Sequence, residues 1–245
     1  MIWYKTWLES RTRFFVAVCF LALACGQFVL FHSQYIRGVP RQISYIEYIY
    51  RTTYGDATVL IFLLFATLLG IGGLSRERTE RTTSLTLTLP VSRWEFAGVR
   101  ATVGLLEIAV LALVPALTII CLSPMVAQFY PIGQAIRFSI LWFVCGSVWF
   151  AVAFLLSSFT VGVYSTPLIC MGTLFGYIAT VNSPILKTLP SLNVLHVMTG
   201  HNMGYFQMHS YQLTGALPWS VLASMMTIVI GFLTISALVV ERQDF

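Results

Sequence analysis

The chain has 245 residues, 58% of them hydrophobic and 9% charged, with a mean hydropathy of +0.83 and a formal net charge of +5. A soluble domain carries about 25% charged residues, whereas here the apolar residues fall in blocks about twenty long with the charges between them, which excludes a soluble globular protein. The basic excess is not gathered in a low-complexity arm, so it bears on membrane orientation and docking and argues against a nucleic-acid partner.

The first stretch, MIWYKTWLESRTR, sets Trp3, Trp7 and Leu8 at helical spacing while Lys5, Glu9 and the arginines point elsewhere. That pattern predicts an amphipathic interfacial helix over residues 1–13. A first span follows from Phe14 to Phe31. Basic residues ahead of it and the run Leu23-Ala24-Cys25 inside it imitate a lipoprotein leader. The apolar run is long for a signal core, though, and Ala22 stands where a lipidation site has leucine, so a retained span is expected. All five cysteines (Cys19, Cys25, Cys121, Cys145, Cys170) lie in apolar blocks without a C-x-x-C pair, and no disulfide framework is expected.

Further spans are predicted over Ala57–Leu74, Ala101–Leu122, Phe138–Leu156, Val161–Val181 and Trp219–Val240, which makes six. Ser157-Ser158-Phe159 reads as the tight turn of an antiparallel hairpin, and Pro115 and Pro167 as kinks within their spans. Residues 182–218 are too many for a turn and too aromatic for a solvated loop, so short re-entrant helices are expected there. With six spans both termini share a side. Placing them inside leaves nine basic residues in the cytoplasm (Lys5, Arg11, Arg13, Arg76, Arg78, Arg81, Arg93, Arg100, Arg242) against five outside (Arg37, Arg41, Arg51, Arg137, Lys187). Short loops retain arginine and lysine in the cytoplasm, so both termini are expected there.

The densest positive block is the loop RERTERTTSLTLTLPVSRWEFAGVR, residues 76–100. It opens with alternating charge, passes through a Thr- and Leu-rich amphipathic stretch and breaks at Pro90, after which Ser92 is placed to cap a helix starting near Arg93 and feeding the third span. A capped helix continuous with a span is a stiff lever, and a charge-mixed surface suits a soluble partner. As a mere topology signal, the loop would need neither the proline nor the leucine ladder.

Glu77, Thr82, Leu85, Leu87 and the run Leu89-Pro90-Val91-Ser92-Arg93, placed after the second of six spans, resemble the cytoplasmic signature of ABC-2 type exporter permeases. The layout of the whole chain is similar to that family, down to the short charged tail Glu241-Arg242-Gln243-Asp244-Phe245. The resemblance implies an all-α membrane domain over residues 1–245, working as a homo- or heterodimer in a cell inner (plasma) membrane. It also implies that residues 76–100 form a coupling loop on a separate ATPase subunit, which would hold ATP and Mg, with contacts from Glu77, Arg78, Glu80, Arg81, Thr82, Pro90, Ser92 and Arg93. Arg81 stands where the family usually has glycine, and Ser84 where it often has glutamate.

Nothing in this chain supplies chemistry of its own: there is no G-x-x-x-x-G-K-[ST], no H-E-x-x-H and no G-x-S-x-G, so no catalytic residue and no resident cofactor are expected. Glu107, a lone carboxylate within a span, is a candidate pathway or proton site, beside its reading as a buried, paired glutamate. His196, Met198, His201, Met203, Met208 and His209 form a cluster suited either to a soft cation or to packing between short helices; its spacing fits no standard metal site. Gly172-x-x-x-Gly176 and the Gly70, Gly72, Gly73 group permit close helix approach, within the chain or across a dimer. An exporter permease is thus expected, with membrane lipids around it. A non-transporting anchor for a cytoplasmic partner and an ion-driven carrier are the other readings of the same spans.

Overall fold

The computed structural model describes residues 2–37, 43–55, 57–71, 93–160, 162, 164–181, 193–200, 206–207 and 211–242. Helix α1 runs unbroken from Ile2 to Leu30. The expected separate interfacial helix over 1–13 is therefore not a distinct element. No glycine or proline interrupts the stretch, and Trp7 packs on Phe14 across the expected junction, ring centroids 5.5 Å apart. Phe14, Ala17, Leu21, Cys25 and Val29 form its buried stripe, three or four residues apart as one helix face requires.

Helix α2 (His32–Arg37) follows, then α3 (Tyr45–Ile49), whose first turn is capped by Ser44 Oγ accepting from Glu47 N at 3.2 Å. The chain widens into a π-type turn over Tyr50–Tyr54 before α4 (Ala57–Gly70). Helix α5 spans Arg93–Leu122; Pro90 and Ser92, read as its stop and start signals, lie outside the described residues. After a short 3-10 turn, α6 covers Ile132–Phe159 and α7 Ser165–Thr180. The last elements are α8 (Val194–Thr199), the strands β1 (Phe206–Gln207) and β2 (Gln212–Leu213), and α9 (Trp219–Arg242).

Among the described residues, five stretches are long and apolar enough to cross a membrane: Trp3–Leu30, Tyr45–Gly70, Trp94–Val126, Ile132–Phe159 and Trp219–Glu241. Their directions follow from pairs of contacts. Ser10 meets Glu107, while Gly26 lies beside Leu122, so α1 and α5 are parallel. Tyr54 stacks on Phe138 at 4.1 Å and Gly70 abuts Phe150, so α4 and α6 run together; Gly104 beside Phe150 and Gly146 beside Ile108 make both antiparallel to α5. Ser158 and Ser236 hydroxyls meet between α6 and α9. The bundle thus has a loop end, at Ile71 and Arg93, and a far end rich in tyrosine. Helix α6 is its axis, 72% buried over its apolar window, with Phe138, Trp142, Phe150 and Phe154 enclosed.

A further expectation is corrected. The hairpin does not turn at Ser157–Phe159: Ser157 and Ser158 donate back to Phe154 O, at 2.7 and 3.0 Å, and prolong α6 to Phe159. The turn comes later, through Gly162, whose φ of 138° suits glycine. Within 182–218 the described residues form the short helix α8 and the antiparallel pair β1 and β2, Phe206 opposite Leu213. Gln134 of α6 fixes this ribbon like a neighbouring strand, its amide bonding both Leu213 O and Leu213 N at 3.0 Å, while Arg137 donates to Leu213 O at 2.7 Å.

Candidate functional site

The proposed coupling residues Glu77, Arg78, Glu80, Arg81, Thr82, Pro90 and Ser92 lie outside the described residues, as do Gly72 and Gly73, while Arg93 opens α5. The structure does describe how the two attachments of that loop are held. Where the chain leaves α4, Arg13 of α1 donates from Nη1 to Ile71 O at 2.8 Å. Just past the start of α5, Trp94 Nε1 donates to the Glu241 carboxylate of α9. Nearly two turns further on, Arg100 lies 3.9 Å from Glu9 of α1, which also faces Lys5 at 3.9 Å.

Glu107 sits two turns beyond Arg100, buried between α1 and α5. Its Oε1 accepts from Ser10 Oγ, and the Arg100 and Arg13 guanidinium groups act on it electrostatically. The position explains how a carboxylate is tolerated within a span. A buried carboxylate needs hydrogen bonds or opposite charge, and α1 and α5 together provide both. Ser10, Arg13 and Glu9 lie in the segment read from the sequence as interfacial, and since that segment is part of one rigid helix they deliver these groups in register. The loop-end network ties the exit of α4 and the start of α5 to α1 and α9.

At the far end, residues 32–56 were read in the sequence only as an outer loop with basic residues. Tyr45 and Ser123 hydroxyls meet at 2.7 Å, Tyr48 OH donates to Phe28 O at 2.8 Å, and Tyr50 OH donates to Thr199 O at 3.0 Å. Arg51 pairs with Glu47 at 2.8 Å and donates to Tyr211 OH at 2.8 Å, its guanidinium 5.2 Å from the Tyr211 ring centroid. The Glu47 and Arg51 spacing of i to i+4 was the available signal for this helical cap. On α8, Met198 is fully buried in the core and His196 is partly exposed; His201, Met203, Met208 and His209 lie outside the described residues.

His32 stands edge-on to the rings of Tyr45 and Tyr48, both centroids 5.0 Å away, with Nε2 buried and unpartnered. Burial lowers its pKa below the ordinary 6.5, because the charged form loses water. The unfolded chain therefore takes up the proton at higher pH than the folded one. The stabilisation is complete above the unfolded value and declines as pH falls below about 6.5 towards the folded value. Thermal unfolding of the purified protein across that range is expected to show this decline, and His32→Phe to flatten it; an identical pH profile in the variant would remove His32 as its source.

Comparison of the chain with protein-family models, with curated proteins and with solved structures returns no match.

Proposed function

We propose that this chain is the transmembrane permease of an ATP-driven exporter of the ABC-2 type, driven by a separate ATPase subunit docked on the loop of residues 76–100. The observation that carries the reading is the continuous helix from Arg93, the last residue of the LPVSR run, to Leu122, tied near its start to α1 and α9. Force applied to the loop would reach the bundle through that lever and through the Arg13 grip on Ile71. Both termini and the loop end are cytoplasmic in this reading, in a cell inner membrane, and ATP and Mg belong to the partner. Glu107 acts as a latch between α1 and α5, since its described contacts are to α1 and none of the described grooves is lined by it.

Six crossings are part of the proposal, with α7 as the fifth. Its 16 residues rise about 24 Å, short of a hydrocarbon core of ~30 Å. Connectivity favours the crossing all the same. Helix α6 finishes at the loop end and α9 starts at the far end, and α7 lies along α6 between them, with Cys170 beside Ala153 and Tyr177 beside Trp149.

A second copy is assigned to the open face of α7. Among the described residues, a Cβ at Gly172 or Gly176 would meet nothing within 4 Å, so neither glycine packs against a described element. Small residues four apart let two helices approach closely in lipid. Gly172→Leu is expected to abolish dimers, seen as disulfide cross-linking through Gly176→Cys, while leaving the monomer's thermal stability unchanged; undiminished cross-linking would move the seam elsewhere.

The docking claim is tested by charge reversal. Glu77→Lys and Arg93→Glu are each expected to weaken ATPase association about tenfold, the scale of one charged hydrogen bond, without removing the permease from the membrane. Unchanged co-purification in both variants would take these residues out of the interface. Recovery of a cytoplasmic partner that supports no transport would favour the anchor.

A further inference from the structure

A groove of about 530 Å³ opens at the far end between the π-type turn, the start of α4 and helix α8. Its lining joins polar residues, Arg51, His196 and Thr199, to apolar ones, Val59, Leu60 and Leu195. Along the chain Arg51 and Gly55 come just before the charge-free run of α4 and Val59 and Leu60 within it, while Leu195 and His196 are neighbours on α8. An occupant must be polar where the chain enters the bundle and apolar along the helix. That description fits an amphiphile lying with its head at a membrane surface.

The polar part offers donors. Glu47 is almost covered while Arg51 keeps 54% of its side-chain surface exposed, so the pair is anchored from the protein side and the guanidinium still presents N–H groups outward. The lining also includes His196, whose Nδ1 is buried without a partner. Gly55 adds no side chain to it. A planar guanidinium suits a phosphate oxygen. Leu60, 41% exposed on α4, gives an acyl chain a wall to lie on.

We propose that this groove binds the phosphate headgroup and one acyl chain of an anionic phospholipid. The inference goes beyond the exporter reading and does not depend on it, since it concerns the isolated chain with no ATPase present.

The test is native mass spectrometry of the protein released from vesicles of phosphatidylcholine containing phosphatidylglycerol as the minor lipid. Retention of phosphatidylglycerol in preference to phosphatidylcholine is expected. Arg51→Gln should reduce that retention about tenfold, the value of a charge-assisted bond, while Arg11→Gln, at the other end of α1, should leave it unchanged. Leu60→Trp, at a half-exposed position that tolerates bulk, should reduce retention by filling the apolar part. Excess inorganic phosphate should not displace the lipid. Three results would overturn the proposal: no preference in the unmutated chain, equal losses in the Arg51 and Arg11 variants, or displacement by inorganic phosphate, which would mean that the head alone is recognised.

Discussion

Gly70→Leu is expected to prevent a stable bundle from forming. A Cβ there would fall 2.5 Å from Phe150 O and 2.8 Å from Ala153 Cβ, so the first atom met is backbone and cannot rotate away. Inserting bulk into a packed core ordinarily costs about 1–3 kcal/mol. Here the whole of α4 would have to separate from α6, and the cost should lie at or above the top of that range. Gly146 makes the same demand midway along the bundle, where a Cβ would lie 2.7 Å from the ring of the fully buried Phe62. Size-exclusion chromatography and thermal unfolding in detergent check this: Gly70→Leu and Gly146→Leu should aggregate or melt far below the parent, and Gly98→Leu, where a Cβ meets nothing, should not. Equal stability in all three would show that α4 and α6 do not pack as described.

The second large effect is expected at the Glu107 latch. Ser10→Ala leaves a buried carboxyl without its hydroxyl donor, a loss of about 1–3 kcal/mol. Glu107→Ala removes the group itself and opens a void between α1 and α5, while Glu107→Gln keeps the shape and a polar end. The order of destabilisation should therefore be Glu107→Ala, then Ser10→Ala, then Glu107→Gln. The Ser10→Ala and Glu107→Ala double variant should lose less than the sum, because the two residues share one interaction. Additive losses would show that Ser10 and Glu107 act independently. If Glu107→Gln instead kept its stability but lost ATP-driven transport, the residue would belong to the pathway and not to the latch.

How much of this was legible differs along the chain. The apolar blocks located the cores of α1, α4, α5, α6 and α9, since burial in hydrocarbon is written in composition. The helix ends were less legible. Hydropathy falls off where lipid ends, but backbone hydrogen bonding does not, so α1 continues back to Ile2 and α6 forward to Phe159. The stop and start signals read at Pro90 and Ser92 lie outside the described residues, and α5 is described from Arg93 onward. The tyrosine-rich cap depends on hydroxyl groups reaching carbonyls distant in sequence, as Tyr50 does at Thr199, and no local pattern encodes such pairs. The ribbon depends likewise on Gln134 and Arg137, more than seventy residues before the strand they hold. For the candidate site, Glu107 was visible as a misplaced charge, whereas its partner Ser10 lay in a segment assigned to the membrane surface. The coupling motif itself remains a reading of sequence, with its two attachments described by the structure.

The most direct test of the central claim is affinity purification of the tagged chain from gently solubilised native membranes, with identification and quantification of what comes with it. The expected result is a P-loop ATPase at one copy per permease, lost when Pro90 and Arg93 are both replaced. Intact permease recovered repeatedly without any ATPase would contradict the exporter reading and return the chain to an ion-driven carrier or a membrane anchor.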